Sequence, residues 1–277
     1  MSLVELNVWL DIIFTAAFVG VVLFLVLHFT LFVTTGRFRK SFIEGHWAEH
    51  DSRPPAKPKV LHFVHLVSMI ALGFTGMYLR FPFFQSNRVM MRGTHYVFMI
   101  IVIVVLIWRV LYAFFSKTNA DWSEFAVRKV DLNTMLGVLA YYGYFSNNKP
   151  HVAKYNVMQK LCYILFLFLM LAQALTGLLI WRVQAPVIGV SLYGLTAGLL
   201  GGTGIWAIRS VHYVINWLFI IMTTVHLYLA ATADLPCALD FFGIKELQVV
   251  EPHGDHGGHG DGGTEKVPAV EPQPQIA

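Results

Sequence analysis

Apolar residues fall in five long runs, at roughly residues 9–34, 60–81, 94–115, 158–182 and 208–232, and the segments between them carry most of the charge. An α-helix needs roughly 20 apolar residues to cross a hydrocarbon core of about 30 Å, and each run is near that length. The pattern predicts an all-α integral membrane protein with five transmembrane helices.

The connecting segments differ in character. Residues 36–59 end in Pro54-Pro55 and Lys57-Pro58-Lys59, which reads as an extended linker. Within the longer segment 116–157, residues 121–145 mix Trp122, Phe125, Leu132, Leu136 and Leu139 with charged positions, as a helix lying on a membrane surface does. Residues 183–207 are apolar and glycine-rich, and their glycines leave them without a helix assignment. So apolar a loop is expected to rest in the membrane surface or under another subunit. From about residue 250 the chain is rich in His, Gly, Asp and Pro. His253, His256 and His259 stand among glycines there, a composition that suits a solvated tail or a metal-binding tract.

Composition strengthens the membrane reading, with 56% hydrophobic and 13% charged residues. Glu5 and Asp11 precede the first apolar run and no basic stretch does, so that run is expected to be a retained helix rather than a signal peptide. Basic residues fix an orientation. Arg37, Arg39, Lys40, Arg53, Lys57 and Lys59 follow the first run. Lys117, Arg128, Lys129, Lys149 and Lys154 lie between the third and fourth, and Lys160 stands at the start of the fourth. These segments are expected on the cytoplasmic side of a cell inner membrane, with the N-terminus outside and the C-terminus inside. The same bias accounts for the net charge of +4 and requires no nucleic-acid partner. Cys162 and Cys237 form no CxxC or CxxCH, which excludes covalent c-type haem attachment and a cysteine-ligated cluster.

The chemistry lies in the histidines. Of twelve, six fall within spans: His28, His62, His65, His95, His212 and His226. Polar residues inside a span are costly and usually functional. His212 and His226 are fourteen residues apart, roughly 21 Å along a helix and within about 40° of one face. Imidazole is an axial ligand for haem iron, and such a helix presents one imidazole towards each surface. Depth then selects partners: His62 matches His226 on the inner side, and His95 matches His212 on the outer side. His65, one turn deeper, rivals His62, and depth favours His62. His28 has no counterpart at its depth and reads as a hydrogen-bonded packing residue.

Arginines extend this reading. Arg109 lies fourteen residues after His95 and needs an anionic or oxygen partner, such as a haem propionate or a quinone. Arg92 and Arg209 each precede an outer histidine by three residues and are placed to meet outer propionates. Gly73, Gly76 and Gly177 open space beside a macrocycle or serve plain helix packing. His65, Arg109, Asn156 and Gln159 fall near the inner level as candidate quinone donors, although Asn156 and Gln159 equally suit a helix cap. A transporter or a purely structural anchor also fits intramembrane histidines. Zinc at these positions fits poorly, because it takes four close ligands and the candidates divide into two pairs about 20 Å apart.

Four stretches resemble one family in order: Lys59-Val60-Leu61-His62-Phe63 running to Thr75-Gly76; Arg92-Gly93-Thr94-His95 followed by Arg109 and Phe114; Tyr155 to Lys160 running to Thr176-Gly177; and Arg209-Ser210-Val211-His212 followed by His226-Leu227-Tyr228. Over about residues 58–232 the chain is similar to the di-haem b-type cytochrome subunits of membrane-bound nickel–iron hydrogenases, relatives of thiosulfate-reductase and formate-dehydrogenase cytochromes b. Lys59 and Phe63 replace a more usual arginine and tryptophan. The resemblance favours His62 over His65. It implies two b haems held by His62, His95, His212 and His226. It also implies a hydrogenase, iron–sulfur or other redox partner subunit, and exchange with menaquinone or ubiquinone in the lipid bilayer. The expected organisation is an extra N-terminal helix (1–35), a basic linker (36–59), a four-helix di-haem domain (60–235) and a tail (236–277).

Overall fold

The computed structural model describes residues 3–47, 50, 53–85, 87–117, 120–148, 155–183 and 191–249. His151, residues 184–190 of the apolar loop and the His-rich tract from residue 250 lie outside them. The elements are α1 (Leu3–Thr34), a π-helical turn (Arg39–Ile43), α2 (Ala56–Arg80), α3 (Arg88–Phe115), α4 (Trp122–Phe125), α5 (Lys129–Tyr142), α6 (Val157–Leu179), α7 (Leu192–Ala233) and α8 (Leu235–Phe241). Five of these, α1, α2, α3, α6 and α7, are long and apolar enough to cross a membrane. Their outer faces expose Leu, Val, Ile and Phe side chains, surface that favours lipid over water.

Helices α2 and α3 form one antiparallel hairpin and α6 and α7 another. Contacts of α3 with α6 and of α2 with α7 close them into a four-helix bundle, and α1 lies outside along α7. The linker, α4, α5 and α8 gather at one end of the bundle, here termed the linker end. The opposite end is the far end.

Local chemistry sets the helix starts. Pro58 falls in the first turn of α2, where a missing N–H costs nothing. The Asn87 side chain accepts from the Val89 N–H (2.8 Å) and caps α3. Ser191 Oγ accepts from the Gly194 N–H (2.9 Å) and caps α7.

Two polar clusters hold α1 against the bundle. Near the far end, Asp11 pairs with Arg80 (2.7 Å) and accepts from the Tyr213 hydroxyl (2.7 Å). Near the linker end, His28 Nδ1 lies 2.6 Å from the Tyr228 hydroxyl and its Nε2 2.9 Å from the Tyr142 carbonyl. His28 is thus a packing histidine. Tyr213 and Tyr228 neighbour His212 and His226 in the chain, so α1 is tied to α7 beside both.

Several element boundaries differ from those expected. The glycine-rich stretch is helical from Leu192 onward, so α7 is 42 residues long. At 1.5 Å per residue that is roughly 63 Å, about twice a hydrocarbon core. It is interrupted at Gly201, where φ is +67° and ψ −173°. L-residues other than glycine are strained in that region, and the other glycines do not disturb the helix. Residues 236–249, expected within the tail, are also folded. Asp240 and Leu247 are buried, and Asp240 pairs with Lys59 at 2.6 Å. Burial alone would raise the Asp240 carboxyl pKa; the Lys59 ammonium and the Leu247 N–H outweigh it and hold the acid below its ordinary range.

Candidate functional site

The histidines matched by depth are neighbours. The ring centres of His95 and His212 lie 6.4 Å apart near the far end, and those of His62 and His226 also lie 6.4 Å apart near the linker end. With a metal–nitrogen distance of about 2 Å and about 1.2 Å from each nitrogen to its ring centre, an ion midway between two imidazoles separates their centres by about 6.4 Å. Both gaps therefore fit an iron with two axial imidazoles.

The far pair is supported in a repeated way. Thr75 on α2 places Oγ1 2.9 Å from His95 Nδ1, and Thr176 on α6 places Oγ1 2.9 Å from His212 Nδ1. Each threonine hydroxyl donates to a carbonyl one turn back, Ala71 or Ala172. Its remaining capacity is to accept, so each imidazole carries its proton on Nδ1 and turns the Nε2 lone pair towards a metal. The glycine after each threonine lets the ring approach. A Cβ added at Gly76 would lie 3.5 Å from His95 Cε1, and one at Gly177 3.3 Å from His212 Cε1. Gly76 and Gly177 thus serve close ring contact rather than open space, while Gly73 has room beside it. The Gln173 amide nitrogen sits 3.2 Å from His212 Nε2 and occupies the direction a metal would take.

Replacing Thr176 by Val removes the acceptor for His212 Nδ1 and keeps the side-chain volume. Loss of such a supporting hydrogen bond typically weakens metal binding about 10–100-fold. Thr176→Val is therefore expected to speed haem loss to an acceptor protein, and Thr176→Ser to restore retention.

At the linker end, α8 covers the second pair. The Phe241 ring packs edge-on against His62, with ring centres 5.3 Å apart. His65 is not part of that pair, and its Nε2 is buried with no hydrogen-bond partner.

The other expected site residues divide. Arg109 finds its anion within the chain, a two-pronged pair with Asp121 at 3.1 and 2.8 Å. Asn156 and Gln159 form a reciprocal capping box at the start of α6: Gln159 N donates to Asn156 Oδ1 (3.0 Å) and Asn156 N to Gln159 Oε1 (2.9 Å). Their side-chain oxygens close the helix end, the capping role expected as the alternative, and both amide nitrogens keep their donors. Arg92 and Arg209 are exposed at the far end. Arg209 lies 5.8 Å from the Tyr193 ring centre.

The sequence marked Gly76 and Gly177 as small residues but gave Thr75 and Thr176 no role beyond the resemblance. Sequence reasoning missed Tyr112 altogether, whose hydroxyl is buried without a hydrogen-bond partner. Tyr112 lines an apolar groove of about 610 Å³ with Lys57, Trp108, Leu111 and Ser116 at the linker end. Its place three residues after Arg109 was the available signal.

Lipid-facing helices with paired imidazoles between them, half-buried at the far end and exposed at the linker end, define the class of multi-pass membrane cytochromes. The family model described as prokaryotic cytochrome b561 matches residues 55–236, more than half of the chain, and the protein belongs to that family, a cytochrome b family of hydrogenase type. Membership implies haem b and electron transfer within the membrane. No curated protein matches the chain.

Proposed function

We propose that this protein is the membrane-anchoring di-haem b subunit of a respiratory oxidoreductase, passing electrons between a partner redox subunit and the quinone pool. The observation that carries the reading is the equal 6.4 Å separation of two histidine pairs at opposite ends of one bundle. His62 with His226 and His95 with His212 hold the haems, which supply one-electron transfer when bound. The chain fixes the tautomer of the far pair through Thr75 and Thr176, and it sets the linker-end pair against Phe241. Arg92 and Arg209 are placed to meet propionates at the far end.

The linker end faces the cytoplasm. Arg37, Arg39, Lys40, Arg53, Lys57, Lys59, Lys117, Arg128, Lys129 and Lys160 gather there, which favours retention on the inner side of a cell inner membrane. A quinone head group fits the groove at that end. Tyr112 offers it an unpartnered hydroxyl in an apolar, lipid-accessible wall, and His65 and Arg109 lie on the same two helices.

Adding a quinol to the purified, oxidised protein is the direct test. The expected result is a b-type reduced spectrum, with a haem assay giving two haems per chain and slower reduction in Tyr112→Phe. A colourless protein would overturn the whole reading. A coloured protein inert to every quinol would remove the quinone step alone.

A further inference from the structure

At the linker end, three side chains with metal-binding donors converge outside both histidine pairs. His50 comes from the linker, Asp234 from the junction of α7 and α8, and Cys237 from the first turn of α8. One donor atom from each lies within 4.8 Å of the others. His50 Nε2 is 3.0 Å from Asp234 Oδ2 and 3.2 Å from Oδ1. The three-residue step from Asp234 to Cys237 sets carboxylate and thiol side by side, and Asp234 Oδ1 accepts the Cys237 N–H at 3.4 Å. All three residues are partly exposed, so an ion can reach them from water.

We propose that His50, Asp234 and Cys237 form a binding site for a zinc ion. The donor set selects the metal. One imidazole, one carboxylate and one thiolate suit zinc, whereas calcium and magnesium take oxygen ligands. Tetrahedral zinc spaces its ligand atoms about 3.4–3.8 Å apart, so the cluster closes on the ion by side-chain rotation of about 1 Å, with water as the fourth ligand. Binding displaces the thiol proton to solvent and changes no oxidation state.

The site joins chain segments far apart in sequence. His50 and Asp234 are 184 residues apart. At the other end of α8, Asp240 holds Lys59 and Phe241 covers His62. Zinc at the start of α8 and the Lys59–Asp240 pair at its end together clamp this short helix over the His62–His226 pair. The ion is structural and takes no part in electron transfer.

Zinc binding to the purified full-length holoprotein tests the proposal. The background is His253→Ala/His256→Ala/His259→Ala, which removes the competing tail imidazoles. The expected result is one zinc per chain in that background, weakened about tenfold or more by Cys237→Ser and by His50→Ala. X-ray absorption at the zinc edge of the tail variant needs no change at the cluster, and it should show one sulfur at about 2.3 Å with nitrogen or oxygen neighbours near 2.0 Å. Loss of zinc in the tail variant, or a neighbour shell without sulfur, would overturn the proposal. Haem content, read from the same samples, reports separately on the di-haem assignment.

Discussion

Substituting His212 by alanine is expected to remove one of two b haems and to halve the reduced b-type absorbance. This ring is held on several sides. It meets Thr176 through Nδ1, Gln173 through Nε2, and Gly177 by direct van der Waals approach. Alanine leaves His95 without its opposite imidazole, a space beside Gly177, and the Thr176 hydroxyl without the ring it supports. On the proposed assignment, a haem that both hairpins would hold keeps a ligand on α3 alone, so it should be lost and the hairpins should no longer be cross-linked there. The yield of folded protein should fall as well. His65→Ala is the control, because His65 faces no second imidazole, and both haems should remain. Two haems with unchanged spectra in His212→Ala, or loss of a haem in His65→Ala, would refute the ligand assignment.

The second large effect is expected at Lys160. Its ammonium is buried, 2.8 Å from Asp131 and 3.3 Å from the Ala126 carbonyl, and it fastens α5 to α6. Removing one member of a buried pair commonly costs about 3–5 kcal/mol. Asp131 keeps a hydrogen bond from the Arg128 N–H and some access to water, so Lys160→Met should cost about 3 kcal/mol, at the low end. Thermal unfolding in detergent reads this loss. The double variant Lys160→Met/Asp131→Leu should recover part of it, because two apolar groups leave no unpaired charge while the cap on the Arg128 N–H is lost. The hydrogen bond from Lys160 is the chief reason that the Asp131 carboxyl titrates below its ordinary value of 3.8. A lowered folded-state pKa gives stability that is present above the unfolded value and lost as pH falls through the folded one. The wild-type advantage over Lys160→Met should therefore be full at neutral pH and shrink below about pH 4.

What the sequence made legible depended on distance along the chain. Apolar runs marked all five spans, because crossing a bilayer imposes length and hydropathy on one continuous segment. Pairing His62 with His226 and His95 with His212 followed from helix direction and depth, which basic residues and a fixed rise per residue supply. Contacts that depend on helix rotation were harder to read. Thr176 meets His212 across 36 residues, and only helix packing settles that α6 turns its Thr-Gly face towards the ring. Arg109 drew attention as an intramembrane charge, yet its anion, Asp121, lies beyond the end of α3. Helix α7 began earlier than expected because glycines weaken a helix signal wherever they occur, and only Gly201 adopts a backbone that breaks one. Residues 236–249 resembled a tail because the composition shift falls later, at about residue 250.

The break at Gly201 also bears on how the bundle tolerates its solvent. Bilayers differ in thickness by several ångströms, and an uninterrupted helix of about 63 Å would answer a thinner one by tilting as a whole. Tilting would carry His212 away from His95, whose helix is much shorter. With a joint at Gly201, the first nine residues of α7 can settle along the membrane surface while the long part keeps its inclination. The break thus separates the direction of the first nine residues from that of the long part, which carries both His212 and His226.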